Sequence, residues 1–179
     1  MKYIGILIMT VLLLTGCSSL RVEVDYDPSY DFSSSQSFAI VHKTKEGENT
    51  LFSDRFINAL SKDLQAKGYV QVPKEKADLI FVFHTNVENK TDIDTDYRAV
   101  GYGRYGYGGT MVATTRTYHY TKGTLIIDAL NSKDEKIVWR AVSTDTLTKQ
   151  ETPQEREAYV NALAKESMKT FPSKKVLTQ

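Results

Sequence analysis

The chain of 179 residues is poor in the residue types that do overt chemistry: it has one cysteine, one tryptophan, four prolines and three histidines. A single cysteine excludes a disulfide within the chain and any zinc site built on paired thiolates. Charge of one sign is also missing. With 23 Lys and Arg against 22 Asp and Glu, no net field draws the chain to nucleic acid. The apolar stretch Tyr3 to Leu14 falls short of the roughly 20 residues that a membrane-crossing helix needs. No G-x-S-x-G pattern occurs, so nucleophilic catalysis has no local mark. What remains is 41% hydrophobic and 25% charged, which are globular values and fit one domain with a real core.

At the N-terminus, Lys2 supplies a positive charge ahead of the apolar stretch, which together read as a signal peptide over residues 1–16. Leu14, Thr15, Gly16 and Cys17 then match the lipobox of bacterial lipoproteins, a leucine and two small residues before the cysteine. That resemblance implies a diacylglyceryl group and further acyl chains such as palmitate on Cys17. Several acyl chains at about 0.8 kcal/mol per buried methylene make such an anchor effectively permanent. Ser18 stands where an Asp would resemble an inner-membrane retention signal. The expected location is therefore the outer membrane, lipid-anchored and facing the periplasm, with residues 17–21 as lipidated cysteine and short tether.

Residues 22–172 read as a single α+β domain. Arg21 to Tyr26 alternates as a first strand, and Phe38 to Val41 is a short buried second strand. Ser53 is placed to cap a helix whose Phe56, Ile57, Leu60 and Leu64 share a face, with Gly68 as its left-handed stop. Five large apolar residues from Leu79 to Phe83 predict a central strand covered on both faces. Gly123 to Leu130 and Glu135 to Thr144 predict a hairpin. Thr152, Pro153 and Glu155 fit a capping box at the start of a second helix, ended by Pro172. The expected architecture is a two-layer sandwich, a largely antiparallel β-sheet with two helices packed on one face. Residues 173–179 are expected to form a flexible tail.

Several of these segments form a series: Phe32 and Phe38, Ile57 to Leu60, Lys67 to Tyr69, Ala77 to Val82, Gly123 to Asp128, Val138 to Arg140, and Phe171-Pro172. In that order they resemble the bacterial lipoproteins of the domain-of-unknown-function 4136 family, over residues 22 to 172. The resemblance implies an envelope protein with a Gly- and aromatic-rich insert. It implies no activity, and so no catalytic residue.

The insert, at 97–120, is the main candidate for function. It holds six of eleven tyrosines and five of ten glycines. Rigid amphipathic rings on a mobile backbone make a versatile binding surface. The candidate binding residues are Tyr97, Tyr102, Arg104, Tyr105, Tyr107, Tyr118 and Tyr120, and the bland alternative is a decorated hairpin tip. Gly101, Gly103 and Gly106 spell G-x-G-x-x-G, but β-branched residues follow where a dinucleotide site needs a helix. Asp92, Asp94 and Asp96 alternate like calcium ligands, yet Tyr97 stands where the loop's glycine belongs. On a strand they would make a solvated stripe opposite Arg98 or Arg116. His42, His84 and His119 have no spacing that brings them together. No cofactor and no metal is therefore expected. Two functions remain open from the sequence: a non-enzymatic binding or structural module that meets an envelope protein, peptidoglycan or outer-membrane component, and a hydrolase or transferase acting on envelope polymers. The first is favoured because no convergent acid, base or metal groups are visible.

Overall fold

A computed structural model describes residues 19–44, 46, 47, 49–100 and 110–174. Six strands form one mixed, mostly antiparallel sheet: β1 (Arg21–Tyr26), β2 (Ser37–Ile40), β3 (Val70–Gln71), β4 (Leu79–Val100), β5 (Thr110–Asn131) and β6 (Ile137–Thr146). Their spatial order is β1-β6-β5-β4-β2-β3. Only β2 pairs in parallel, with β3 on one side and β4 on the other. Two helices, α1 (Thr50–Ala66) and α2 (Pro153–Ser167), cover one face.

The covered face is read directly from the register. Phe81 and Phe83 of β4 stand opposite Ala129 and Ile127 of β5, which stand opposite Trp139 and Ala141 of β6. Side chains two apart on a strand share a face, and all of these are sealed with Phe56, Leu60, Leu64, Val160, Leu163 and Met168 from the helices. Trp139 meets Phe171 edge to face at 5.1 Å, and Phe171 in turn meets Phe81 at 5.3 Å. Such pairs add about 0.5–1.5 kcal/mol beyond the area they bury. Ser143 of β6 and Ser167 of α2 share a buried hydrogen bond of 2.6 Å, and Ser167 donates onward to the Leu163 carbonyl at 2.7 Å. The two hydroxyls are thereby satisfied in a dry interior.

The second helix begins as expected. Thr152 accepts from the Glu155 amide, and the Glu155 carboxylate accepts from Thr152 in return. It ends at Ser167, five residues before Pro172. The first helix begins earlier than the sequence predicts. Asn49 caps it by accepting from the Phe52 amide, while Ser53 lies within the first turn and is buried. Its end carries Gly68 at φ +91°, with the Gly68 amide on the Gln65 carbonyl and the Tyr69 amide on the Leu64 carbonyl. This paired closure needs the left-handed region that glycine enters freely.

Other differences have local causes. Glu135 sits at φ 54° in the β5–β6 turn, so β6 starts at Ile137 and not at Glu135. The apolar run of β4 has helices on one face only. Val82, on the far face, is half-buried and His84 is exposed. There, Asp128 is 5% exposed and takes both prongs of Arg140, at 2.6 and 2.8 Å. Lys174, assigned by sequence to a trailing tail, donates to the carbonyls of Phe32 and Ser33, both at 2.9 Å, and lies over the Tyr69 ring.

Candidate functional site

β4 and β5 are each 22 residues long and pair along their whole length, from Leu79 opposite Asn131 to Val100 opposite Thr110. Their neighbours stop early. β2 reaches only Phe81 of β4, and β6 reaches only Lys122 of β5. Beyond these points the hairpin continues as a two-stranded arm of about 40 Å, at roughly 3.3 Å per residue. A ribbon of this kind is marginally stable in water unless something covers it.

The arm's two faces differ in kind. One continues the helix-covered face of the sheet and carries Val87, Asn89, Thr91, Ile93, Thr95 and Tyr97 on β4, with Met111, Ala113, Thr115, Thr117, His119 and Thr121 on β5. No Asp, Glu, Lys or Arg of the described arm lies there. The opposite face carries Glu88, Lys90, Asp92, Asp94, Asp96 and Arg98 on one strand, with Arg116 and Lys122 on the other. On the uncharged face Val87, Ile93, Tyr97 and Met111 are 62–69% exposed. Glu88 and Lys90 form an ion pair at 2.5 Å on the charged face, which holds the Glu88 carboxyl below its usual value and the Lys90 ammonium above its own.

This geometry divides the tyrosines singled out from sequence. Tyr97 lies on the uncharged face, whereas Tyr118 and Tyr120 lie on the charged one, so these three do not make one surface. Tyr102, Arg104, Tyr105 and Tyr107 lie outside the described residues, as does Cys17. Asp92, Asp94 and Asp96 share the charged face, with Asp94 opposite Arg116 and Arg98 opposite Val112. Alternate residues of an extended strand stand about 6.6 Å apart, a stripe and not a chelating loop. The histidines diverge: His42 stacks on Phe83 at 4.3 Å, His119 meets Thr91 at 3.0 Å on the uncharged face of the arm, and His84 faces the other side of the sheet. Among the described residues no group of three or more His, Cys, Asp or Glu is placed to hold a metal ion.

Sequence reasoning missed a groove at the base of the arm. Its volume is about 610 Å³ and its apolar lining includes Phe52, Phe83, Leu125, Leu147, Tyr159 and Leu163. It lies on the covered side of the sheet, beside the first turn of α1 and the Arg156 to Leu163 stretch of α2, and its lining includes Val87 and Gly123, where the uncharged face of the arm begins. Gly123 lets Leu147 close over the strand, since a Cβ there would stand 2.8 Å from Leu147 Cδ2. At the rim Asp145 accepts from the Tyr159 hydroxyl at 3.2 Å and from the Ser19 hydroxyl. Burial, and then the Asp145 charge, push the Tyr159 hydroxyl well above its ordinary pKa, so it remains a donor. The groove is in the size range of small-molecule sites, but its parts come from five separated stretches of chain, and no local pattern announces it.

Residues 22–173 match the DUF4136 family, a domain of unknown function. The chain belongs to this family. No curated protein matches it. Among solved structures, a PDZ domain protein from Parabacteroides distasonis is similar at 14% identity and a TM-score of 0.55, over 87% of this chain and 35% of that one. The chain thus spans about a third of that protein's length, and the likeness concerns the fold alone. The PelC dodecamer from Paraburkholderia phytofirmans is similar at 11% identity, with a TM-score of 0.47, over 83% of this chain and 94% of that one. No helix of the described residues is long and apolar enough to cross a membrane.

Proposed function

We propose that this chain is a non-catalytic lipoprotein of the bacterial envelope, anchored through Cys17 in the outer membrane and facing the periplasm, whose arm is the contact surface for an envelope component. The observation that carries this reading is the exposed uncharged face of the arm, with Val87, Ile93, Tyr97 and Met111 in solvent and every described charge of the arm on the other side. Large apolar side chains held on a ribbon with no cover of their own mark an interaction site. The lipobox supports the anchor. Ser19 is tied to Asp145 at the arm's base, and Cys17 is only two residues away, about 7 Å of extended chain. The described chain thus begins at the end of the body from which the arm leaves, which supports a reading in which the arm meets what lies at the membrane surface.

Two measurements test this. Metabolic labelling with a fatty acid should mark the wild type and not Cys17→Ala, and label that persists on the alanine variant removes the anchor. A photo-crosslinking residue placed at Thr95 should give adducts in living cells, while the same group at Asp94 should not. Equal adducts from both faces, or none from either, remove the arm as contact surface.

A further inference from the structure

We infer that the partner of the arm is a second copy of this chain, and that two arms lie antiparallel with their uncharged faces together, the far end of each seated at the groove of the other. The inference rests on the arm being a contact surface and adds what it contacts.

The first argument is self-complementarity. In a two-fold interface each surface meets itself, so a charged face meets its own sign where the axis passes. The uncharged face, with eight charged residues all turned away from it, is free of that penalty.

The second argument is length. With the two-fold axis at Ile93 and Thr117, which are opposite each other, antiparallel alignment carries Met111 of one copy onto Val87 and Gly123 of the other. Those two residues line the groove. The exposed Met111 and the open groove are therefore separated by the span that reciprocal packing requires.

The third argument is area. An arm face about 40 Å long and about 10 Å wide buries roughly 400 Å² per copy. Two such faces give roughly 800 Å², short of the 1,200–2,000 Å² of a stable interface. Arm-on-arm contact alone is too small, and the apolar groove of about 610 Å³ supplies the missing surface by taking Met111, while Tyr97 lies over Asn89 and Thr121 of the other arm. Groove and arm face then have one occupant.

The test uses a soluble chain starting at Ser18. The core closes among residues 20 to 171, so this form keeps every core contact and has no cysteine. Sedimentation should show a monomer–dimer equilibrium. Ile93→Lys should weaken it about 30-fold, the loss of one central contact, whereas Asp94→Lys, on the charged face, should leave it intact. With a short bismaleimide, Thr117→Cys should link to a second Thr117→Cys chain, and Asp94→Cys should not. A monomer at all concentrations, a dimer indifferent to Ile93→Lys, or equal linking from both faces overturns the inference. The in-cell adducts separate its failure from that of the preceding section. A monomer whose Thr95 adduct has the mass of a different partner overturns self-pairing and keeps the arm as contact surface, whereas a monomer with no adduct overturns both.

Discussion

Phe81 and Phe83 are buried under the helices, while Ile93 and Tyr97, on the same face of the same strand, stand in solvent. Body and arm thus follow one alternation and differ only in what lies above it. In the body the covered face is filled with large apolar side chains, as a sealed core demands. Among the described residues of the arm that face thins to threonine with four large apolar residues and carries no Asp, Glu, Lys or Arg. The gradation suits a surface that must stay soluble alone and still accept a partner. Alternation therefore says which way a strand faces, and cover decides whether that face is core or contact.

The contrast can be broken at several points. The largest effect is expected in the body, where Trp139 is 1% exposed against Phe171. Trp139→Ala should lower stability by about 3–5 kcal/mol, read from urea unfolding, and an unchanged midpoint would mean that the body is not sealed there.

Asp78 comes next. It accepts from the Gln36 amide at 2.8 Å and from the amide and hydroxyl of Ser37 at 2.9 and 2.8 Å, and these bonds, led by Gln36, hold its carboxyl below the ordinary 3.8. Asp78→Ala should cost about 1.5 kcal/mol at neutral pH. A carboxyl with a depressed folded pKa stabilises above its unfolded value and loses that contribution as pH falls through the folded one. The difference between wild type and Asp78→Ala should therefore be constant down to about pH 4 and shrink below it. A difference that grows on acidification contradicts the assignment.

Ser167→Ala should cost about 1 kcal/mol or a little more, because it leaves the buried Ser143 hydroxyl without its partner. Adding Ser143→Ala should recover part of that loss, and a fully additive double variant would show that the two hydroxyls are independent. The smallest effect belongs to the arm. Ile93→Thr should change the unfolding of dilute protein by no more than about 0.5 kcal/mol. A larger loss would place Ile93 among the body's own packing residues.

Parts of this architecture were open to direct reading. The capping box at Thr152 and Glu155 and the Gly68 stop are local chemistry, and local chemistry is written in adjacent residues. The start of α1 was misplaced because Asn49 and Ser53 are both competent caps, and the choice lies in which one the sheet buries. β3 escaped notice because two residues carry no period. Nothing local to Asp128 marks it for burial, which depends on Arg140 lying opposite across the sheet. Lys174 read as tail because its partners, Phe32 and Ser33, are more than 140 residues away.

The arm shows where the division falls. The chain by itself determined that Glu88, Lys90, Asp92, Asp94, Asp96 and Arg98 share one side of a strand, since extended backbone alternates with a period of two. It likewise put Arg116 and Lys122 on one side of the next strand. Whether those two sides coincide was decided by the β4–β5 register alone, in which Asp94 meets Arg116 and Glu88 meets Lys122. A slip of one residue would turn every side chain of one strand to the opposite face, and the uncharged surface would carry Arg116 and Lys122. The register is set by the packing of Phe81, Phe83, Ile127 and Ala129 beneath the helices, at the far end of the same two strands from the surface that depends on it.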